Sequence, residues 1–363
     1  MAAPAERSAV RTVRGRGRAP GVTGALLLGC CALWALISAA SGGGRPEGVL
    51  LAVLAALTGY VCGRIGGSLA PVATASVLAV AGLAGAFASS WEDFGSAMTV
   101  ATPPGDSGAI AALLVLAAGA ACCAATGARR PRTRSALRLL ALVIAGAAPL
   151  LGSGTGLIAS LGVLLCSLAA ARMHRRPAAL AGFALVTALV AGASWAVAEQ
   201  ALPEGLAVSL AGQLTPHRVL LWHDAAELAK DHPLLGVGPD RFGELSQAAA
   251  QSLDNDGKPH SAPLQFAAEQ GMVGVALLGA VYGWLLYALG RSRCSTQVVL
   301  TAGAALTALA ALACVGNALS FTTVTAGAGL LAGLVTARPT PGRPTVPTPA
   351  EHGEQWPLRA RPG

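Results

Sequence analysis

The ionisable side chains of this chain are concentrated in one stretch, residues 199–269. Ten of the 17 Asp and Glu residues lie there, with both lysines and four of the six histidines. An imidazole can take a proton at neutral pH, and an arginine can hold phosphate oxygens with two parallel hydrogen bonds. This stretch is therefore where we expect chemistry on a polar or anionic substrate.

The rest of the chain is apolar. Hydrophobic residues make up 54% of the sequence and charged residues 12%, whereas soluble domains carry about 25% charged residues. A membrane-spanning helix needs roughly 20 apolar residues. The sequence predicts ten such spans, at 21–40, 48–63, 69–89, 107–126, 136–151, 154–171, 178–198, 270–289, 297–315 and 318–336.

These spans predict an all-α, polytopic membrane protein with one long extracytoplasmic loop. We expect a basic tail (1–20), seven spans (21–198), the loop (199–269), three spans (270–336) and a Pro-rich tail (337–363). That last tail has few apolar residues to bury, so we expect it to be disordered.

Arginines predict the orientation of the chain. They cluster in the N-terminal tail and in four later segments, near 64, 129–134, 172–176 and 291–293, which ten spans place on one side. Positively charged loops face the cytoplasm. Both termini are thus predicted to be cytoplasmic and the long loop to lie outside the cell membrane. The net charge of +8 then reflects topology and contact with anionic lipid, and we do not predict nucleic acid as a partner.

No metal site or redox site is predicted. Seven of the eight cysteines lie within apolar spans, and the sequence contains no Cys-x-x-Cys pair, so small apolar packing residues are the simpler interpretation. The loop histidines at 217, 223 and 232 lack a spacing typical of zinc ligands. The turn residues Asp254 and Asp256 are explained as a polar turn without a bound cation.

The loop has local structure of its own. Thr215-Pro216 is typical of a helix start, and His232 before Pro233 is typical of an end, which predicts an amphipathic helix to Asp231. Its apolar face suggests a position at the membrane surface, with Asp224 on the opposite polar face. The segment PLLGVGP predicts a compact turn, and helix is expected again from Ala262.

The order of motifs in this loop resembles the O-antigen ligase and polymerase-like family of membrane proteins. Arg218 precedes Trp222 by one turn, and HPLLGVGP follows. Next comes HSAPLQ (260–265), and AEQG (268–271) leads to Gly274. The family pattern has an arginine before an aromatic residue, a P-x-x-G-x-G turn, and H-N-x-x-L-Q-x-x-x-E-x-G-x-x-G running into a helix. The similarity covers about 60 residues closely and the span plan more loosely.

The resemblance implies a glycosyltransferase of the C-type architecture that needs neither metal nor nucleotide cofactor. It would take a glycan from an undecaprenyl-pyrophosphate carrier and pass it, with inversion, to a hydroxyl of a glycan or lipid acceptor. Matched to the family motif, His260 is the expected catalytic base and Arg218 the expected pyrophosphate ligand. Arg241 is a second candidate cation for substrate, and Glu269 is a candidate orienting residue.

The sequence departs from the family pattern at two positions. Ser261 stands where the family usually has Asn. Many members carry Ser-Arg-Gly at the outer start of a middle span, and the corresponding stretch here, Gly152-Ser153-Gly154-Thr155-Gly156, has no arginine. Arg241 or Lys258 would have to replace that arginine, or the activity would be altered or lost.

Simpler interpretations stay open for each residue and for the whole chain. His260 could cap a helix, Arg218 could reach lipid headgroups from the membrane surface, and Glu269 could be structural. A polysaccharide transporter or flippase would need ionisable groups within the spans, and these spans carry almost none. A non-catalytic membrane protein of the same family is the remaining alternative.

Overall fold

The computed structural model describes residues 19–96, 106–173, 175–201, 215–251 and 257–337. Helices dominate these ranges, and none of the described residues is in a strand. The predicted all-α class is therefore confirmed. The two tails and the predicted turn at 254–256 lie outside the described residues.

The helices are numbered here in chain order. Before the loop come α1 (Ala19–Gly42), α2 (Glu47–Leu69), α3 (Pro71–Ser96), α4 (Asp106–Gly127), α5 (Pro131–Leu150), α6 (Gly154–Ala170) and α7 (Arg176–Ala198). The loop contains α8 (Pro216–Asp231), α9 (Phe242–Leu245) and α10 (Gln247–Ala250). It is followed by α11 (Ala262–Gly290), α12 (Thr296–Val315), a 3-10 turn (Ala318–Ser320) and α13 (Thr322–Thr336).

Each predicted span coincides with one of these helices. Eight helices of the described ranges are long and apolar enough to cross a membrane, and α6 and α13 are shorter apolar helices. Helix α11 begins at Ala262, where the sequence predicts helix to resume. Several other boundaries differ from the predicted spans: α2 continues to Leu69 rather than 63, α3 continues to Ser96 rather than 89, and α5 begins at Pro131 rather than 136. Helix α13 begins at Thr322 rather than 318 because a separate 3-10 turn precedes it.

Helix α4 lies at the centre of the bundle. Its apolar window is 94% buried, and it contacts α3, α5, α6 and α12. The helix is rich in Ala, Leu and Gly along its whole length. A helix without a polar side is buried on every side.

Helices α2 and α13 pack against each other through glycines. Gly59 and Gly63 on α2 face the carbonyls of Ala326 and Leu330, while Gly333 on α13 faces the Tyr60 carbonyl. A Cβ atom at any of these glycines would overlap the opposing backbone. Small residues four positions apart allow such close approach, and van der Waals packing then stabilises the helix pair in lipid.

Contacts also join the helix ends farthest from the long loop. The Arg176 guanidinium at the start of α7 donates to the Leu289 carbonyl at 2.6 Å, and the Ser292 hydroxyl donates to the Val335 carbonyl. These bonds bring the ends of α7, α11 and α13 together. The long loop therefore lies at the other end of the bundle.

The α2–α13 interface predicts that a larger side chain destabilises the protein at its glycines but not at a glycine that faces open space. Gly63→Ala should destabilise the purified protein by about 1–3 kcal/mol, because the new methyl group meets the Leu330 backbone. Gly283→Ala is the matched control, since nothing lies within 4 Å of a Cβ atom there. Thermal unfolding in detergent measures both variants. Equal transition temperatures for the two would contradict this packing.

Candidate functional site

Helix α8 organises the loop by packing on the membrane-spanning part of the chain. It begins and ends where the sequence predicts, although the Thr215 side chain makes no capping bond. Its buried face includes Leu221 and Trp222, which pack with Leu264 of α11 and Ala198 of α7. The expected position of this face on the membrane surface is thus wrong. The apolar face is covered by the protein itself, because α11 and α7 offer a complementary apolar surface.

Two polar residues of α8 also bind the protein rather than water. The Asp224 carboxylate accepts from the Ser246 hydroxyl at 2.7 Å and from the Ala248 amide at 2.9 Å. Nδ1 of His223 lies 3.0 Å from the Ala198 carbonyl at the end of α7. Asp224 was expected on a solvated face. Instead it holds the start of α10, where unpaired amides favour a negative charge.

His260 lies at the head of α11 and is held there by Trp222. The Trp222 indole donates to the Pro259 carbonyl at 2.7 Å. His260 itself has a φ of 52° and is 6% exposed. A non-glycine residue in this left-handed region costs about 1–3 kcal/mol, and such residues are frequent at functional sites. The fold therefore holds this imidazole in a strained, nearly enclosed position.

Ser261 begins α11 without capping it. Its carbonyl accepts from the Gln265 amide at 2.8 Å, but its hydroxyl makes no capping bond. That hydroxyl is buried and finds no hydrogen-bond partner among the described residues. The residue that replaces the usual Asn is thus a buried donor beside His260.

Arg218 lies on α8 one turn before Trp222 and points to the end of α12. Its Nη1 donates to the Val315 carbonyl at 3.2 Å. Partial burial removes water from the guanidinium, which lowers its pKa. The side chain is therefore fixed between α8 and α12, unlike the lipid-directed alternative considered for it.

The glycine-rich motifs of the loop form one interlocked unit. Helix α11 is broken at Gly271, whose φ is 69°. The break leaves the Ala268 and Glu269 carbonyls to accept from Val237 and Gly238, both at 2.9 Å, and Met272 donates to Pro233 at 2.8 Å. The PLLGVGP turn thus docks into the break of α11.

Glycine is required on both sides of this contact. A Cβ atom on Gly236 would overlap the Glu269 backbone, and one on Gly271 would overlap the Leu234 carbonyl. Both residues also have positive φ. The two motifs recognised separately in the sequence are therefore complementary halves of one structural element.

Helix α1 completes this element, and the sequence contained no motif that pointed to it. The Ser38 hydroxyl lies 2.7 Å from the Leu235 carbonyl and 2.9 Å from that of Glu269. The Trp34 indole donates to the Gln270 carbonyl at 3.0 Å. A fully buried serine in an apolar span was the available signal, because buried hydroxyls need partners.

Glu269 lies on α11, at the contact with the docked turn. Its side chain is 3% exposed, and the Gln265 amide nitrogen lies 3.4 Å from both carboxylate oxygens. The Asp240 backbone amide and the Lys258 charge also act on this carboxylate. Asp240 has a φ of 62°, so two strained residues, Asp240 and His260, flank this part of the loop.

The structure does not bring all the predicted site residues to one point. Arg241 donates from Nη1 to the Gly42 carbonyl at the end of α1 and from Nε to Glu244 at 3.4 Å. Arg218 instead contacts the end of α12. The two cations therefore hold different helix ends. Near the departure from Ser-Arg-Gly, Ser153 caps α6 by accepting from the Gly156 amide at 3.2 Å.

Comparison with known proteins gives one match. Residues 139–279 match the family model described as O-antigen ligase, and no curated protein matches the chain. The matched range runs from α5 into α11 and includes α8, the docked turn and the head of α11. It contains His260, Arg218, Arg241 and Glu269, the four residues singled out from the sequence. Over residues 139–279 this all-helical, multi-pass membrane protein is therefore similar to the O-antigen ligase family.

Proposed function

We propose that this chain is a membrane glycan ligase or polymerase that uses a polyprenyl-pyrophosphate-linked donor. The family domain points to glycan transfer of the ligase or polymerase type. The observation that carries the proposal is the position of His260, strained and nearly enclosed at the head of α11 beneath the Trp222–Pro259 hydrogen bond. We further propose that the loop faces outward from the cell membrane and that both termini are cytoplasmic.

In the proposed reaction His260 acts as general base. The acceptor hydroxyl oxygen bonds to the anomeric carbon of the donor glycan while the bond from that carbon to the pyrophosphate oxygen breaks. The electron pair of the broken bond leaves with the pyrophosphate, and the hydroxyl proton passes to the imidazole and later to water. Attack opposite the leaving group inverts the anomeric centre.

Arg218 is proposed to bind the departing pyrophosphate. A guanidinium has five N–H donors, and the hydrogen bond to Val315 uses Nη1 alone. The remaining donors suit two phosphate oxygens held side by side. Partial burial strengthens the attraction between the guanidinium and an anion because less water screens the charge.

Glu269 and Arg241 are proposed to act through the scaffold. The Glu269 carboxylate contacts Gln265 within α11, and its carbonyl joins α11 to Gly238 of the turn and Ser38 of α1. Arg241 joins the loop to α1 through Gly42. Substrate contact by Arg241 stays a prediction. Through its contact with α1, Arg241 is proposed to position the loop.

Removing the proposed base should abolish most of the transfer. His260→Ala should reduce the rate by about 10²–10⁴-fold, because the acceptor proton then has no fixed base. The measurement is surface polysaccharide and accumulated lipid-linked glycan in cells that depend on this protein, with protein level checked. His232→Ala, in the same loop and exposed, is the matched control and should retain activity. Normal glycan with His260→Ala would favour a non-catalytic or transport role.

Replacing the proposed phosphate ligand tests the second role. Arg218→Ala should lower transfer by about 10²-fold, the usual cost of losing one stabilising donor at a developing anion. Arg218→Lys should recover only part of this, since an ammonium group lacks the bidentate fork. Lys230→Ala is the matched control on α8, because Lys230 is exposed and pairs with Glu227. Similar transfer by Arg218→Ala and Lys230→Ala would exclude substrate binding by Arg218.

The hydrogen bond from Trp222 to Pro259 predicts a positioning effect. Trp222→Phe keeps an aromatic ring but leaves the Pro259 carbonyl without its donor, so unfolding free energy should fall by about 1–3 kcal/mol. The turnover rate should fall while KM for the donor stays unchanged, because Trp222 holds His260 in place. Trp195→Phe, which loses an exposed bond to Glu199, should change neither. Equal kinetics for the two tryptophan variants would contradict the positioning role.

A further inference from the structure

The docked turn carries an exposed apolar tip. Within the segment Pro233–Pro239, Leu234 is 68% exposed and Leu235 is 36% exposed. Met272, whose amide binds the Pro233 carbonyl, is 48% exposed. These three side chains project from one place, where the turn meets the break in α11. Contiguous exposed apolar side chains mark an interaction surface.

Helix α1 gives the height of this tip relative to the bilayer. The turn contacts α1 at Ser38 and at Gly42, while Trp34 contacts the Gln270 carbonyl of the break. All three α1 positions lie within the apolar span Gly21–Gly42. Since a helix rises 1.5 Å per residue, the contacts cover about 12 Å of the outer part of that span. The part of the turn that bears Leu235 therefore lies beside the last turns of α1, whereas Pro239 reaches Arg45 just beyond that helix.

The neighbouring surface of α1 at this height is itself apolar. Leu36 and Ile37 are 45% and 43% exposed, and both lie between Trp34 and Ser38 along the helix. On a membrane-spanning helix, such side chains face acyl chains. Met272 is exposed on the membrane-spanning helix α11, and Leu234 adds an exposed apolar side chain from the loop next to it, where Met272 binds the Pro233 carbonyl.

The backbone of the turn is also suited to a site without water. The amides of Gly236, Val237 and Gly238 donate to His232, Ala268 and Glu269. The Pro233 and Leu235 carbonyls accept from Met272 and Ser38. Irregular backbone is tolerated at membrane depth only where its polar groups are satisfied by protein.

We propose that the Pro233–Pro239 turn dips into the bilayer leaflet on the loop side, with Leu234, Leu235 and Met272 in contact with lipid acyl chains. The bilayer is then a partner of the loop as well as of the spans.

This anchor would set the height of the active site, a consequence that rests on the proposed function. The part of α11 from Ala262 to the break at Gly271 rises about 13 Å. His260, at the head of that part, would lie about that distance above the anchored tip, among the lipid headgroups or just beyond them. That is where a lipid-linked donor presents its pyrophosphate.

The experiment is photocrosslinking of the full chain in vesicles of phosphatidylglycerol and phosphatidylethanolamine. Benzoylphenylalanine is placed at position 234, at 37 as the lipid-facing reference, and at 245 as an exposed loop control, since Leu245 is 43% exposed on α9. Mass spectrometry then measures phospholipid adducts after irradiation. Position 234 should give adducts at the level of position 37 and about tenfold above position 245, because the probe lies among acyl chains.

Adducts at 234 no higher than at 245 would overturn the proposal, as would a crosslink from 234 to a second copy of the chain in place of lipid. A probe at position 235, also exposed in the turn, repeats the test should the variant at 234 be poorly folded. The readout requires no glycan transfer. Failure of the anchor and failure of the proposed activity are therefore separately detectable.

Discussion

The interrupted hydrogen-bond ladder of α11 is the constraint on which the loop depends. A helix break normally leaves backbone carbonyls without donors, and in the hydrocarbon core of a membrane or inside a protein little water is present to bind them. Here the carbonyls of residues 268–270 accept from Val237, Gly238 and the side chains of Ser38 and Trp34. The turn and α1 thus supply the donors that the break requires. Conversely, the break supplies the carbonyl acceptors for the amides of Val237 and Gly238 in the turn.

The glycines of the loop follow from this constraint. Gly236 and Gly271 adopt positive φ, and each leaves no room for a Cβ atom against the opposing backbone. Their role is close backbone approach. The polar residues of the loop fall into two groups. Asp224, His223 and Arg241 hold neighbouring elements together. His260 lies where α8 meets the head of α11, and Arg218 lies where α8 meets the end of α12.

The spans and the loop are stabilised by different interactions. Between spans there is no hydrophobic driving force, so close packing at Gly59, Gly63 and Gly333 stabilises the α2–α13 pair. Within the loop, water is present on one side, and burial of Leu221 and Trp222 against Leu264 provides a small separate core. The head of α11 belongs to both regions. The head of α11 therefore holds His260 in a fixed position relative to the bundle.

Much of this protein was determined by sequence alone. Hydropathy placed ten apolar helices, and Thr215-Pro216 with His232-Pro233 bounded α8, because both signals are local in the chain. The order of motifs indicated the family that the match over 139–279 supports. Only the tertiary structure decided what α8 packs against, that Asp224 binds the start of α10, and that α1 binds the broken helix. Ser38 and Glu269 are far apart in the chain, and no local pattern determines which distant donor satisfies a given carbonyl.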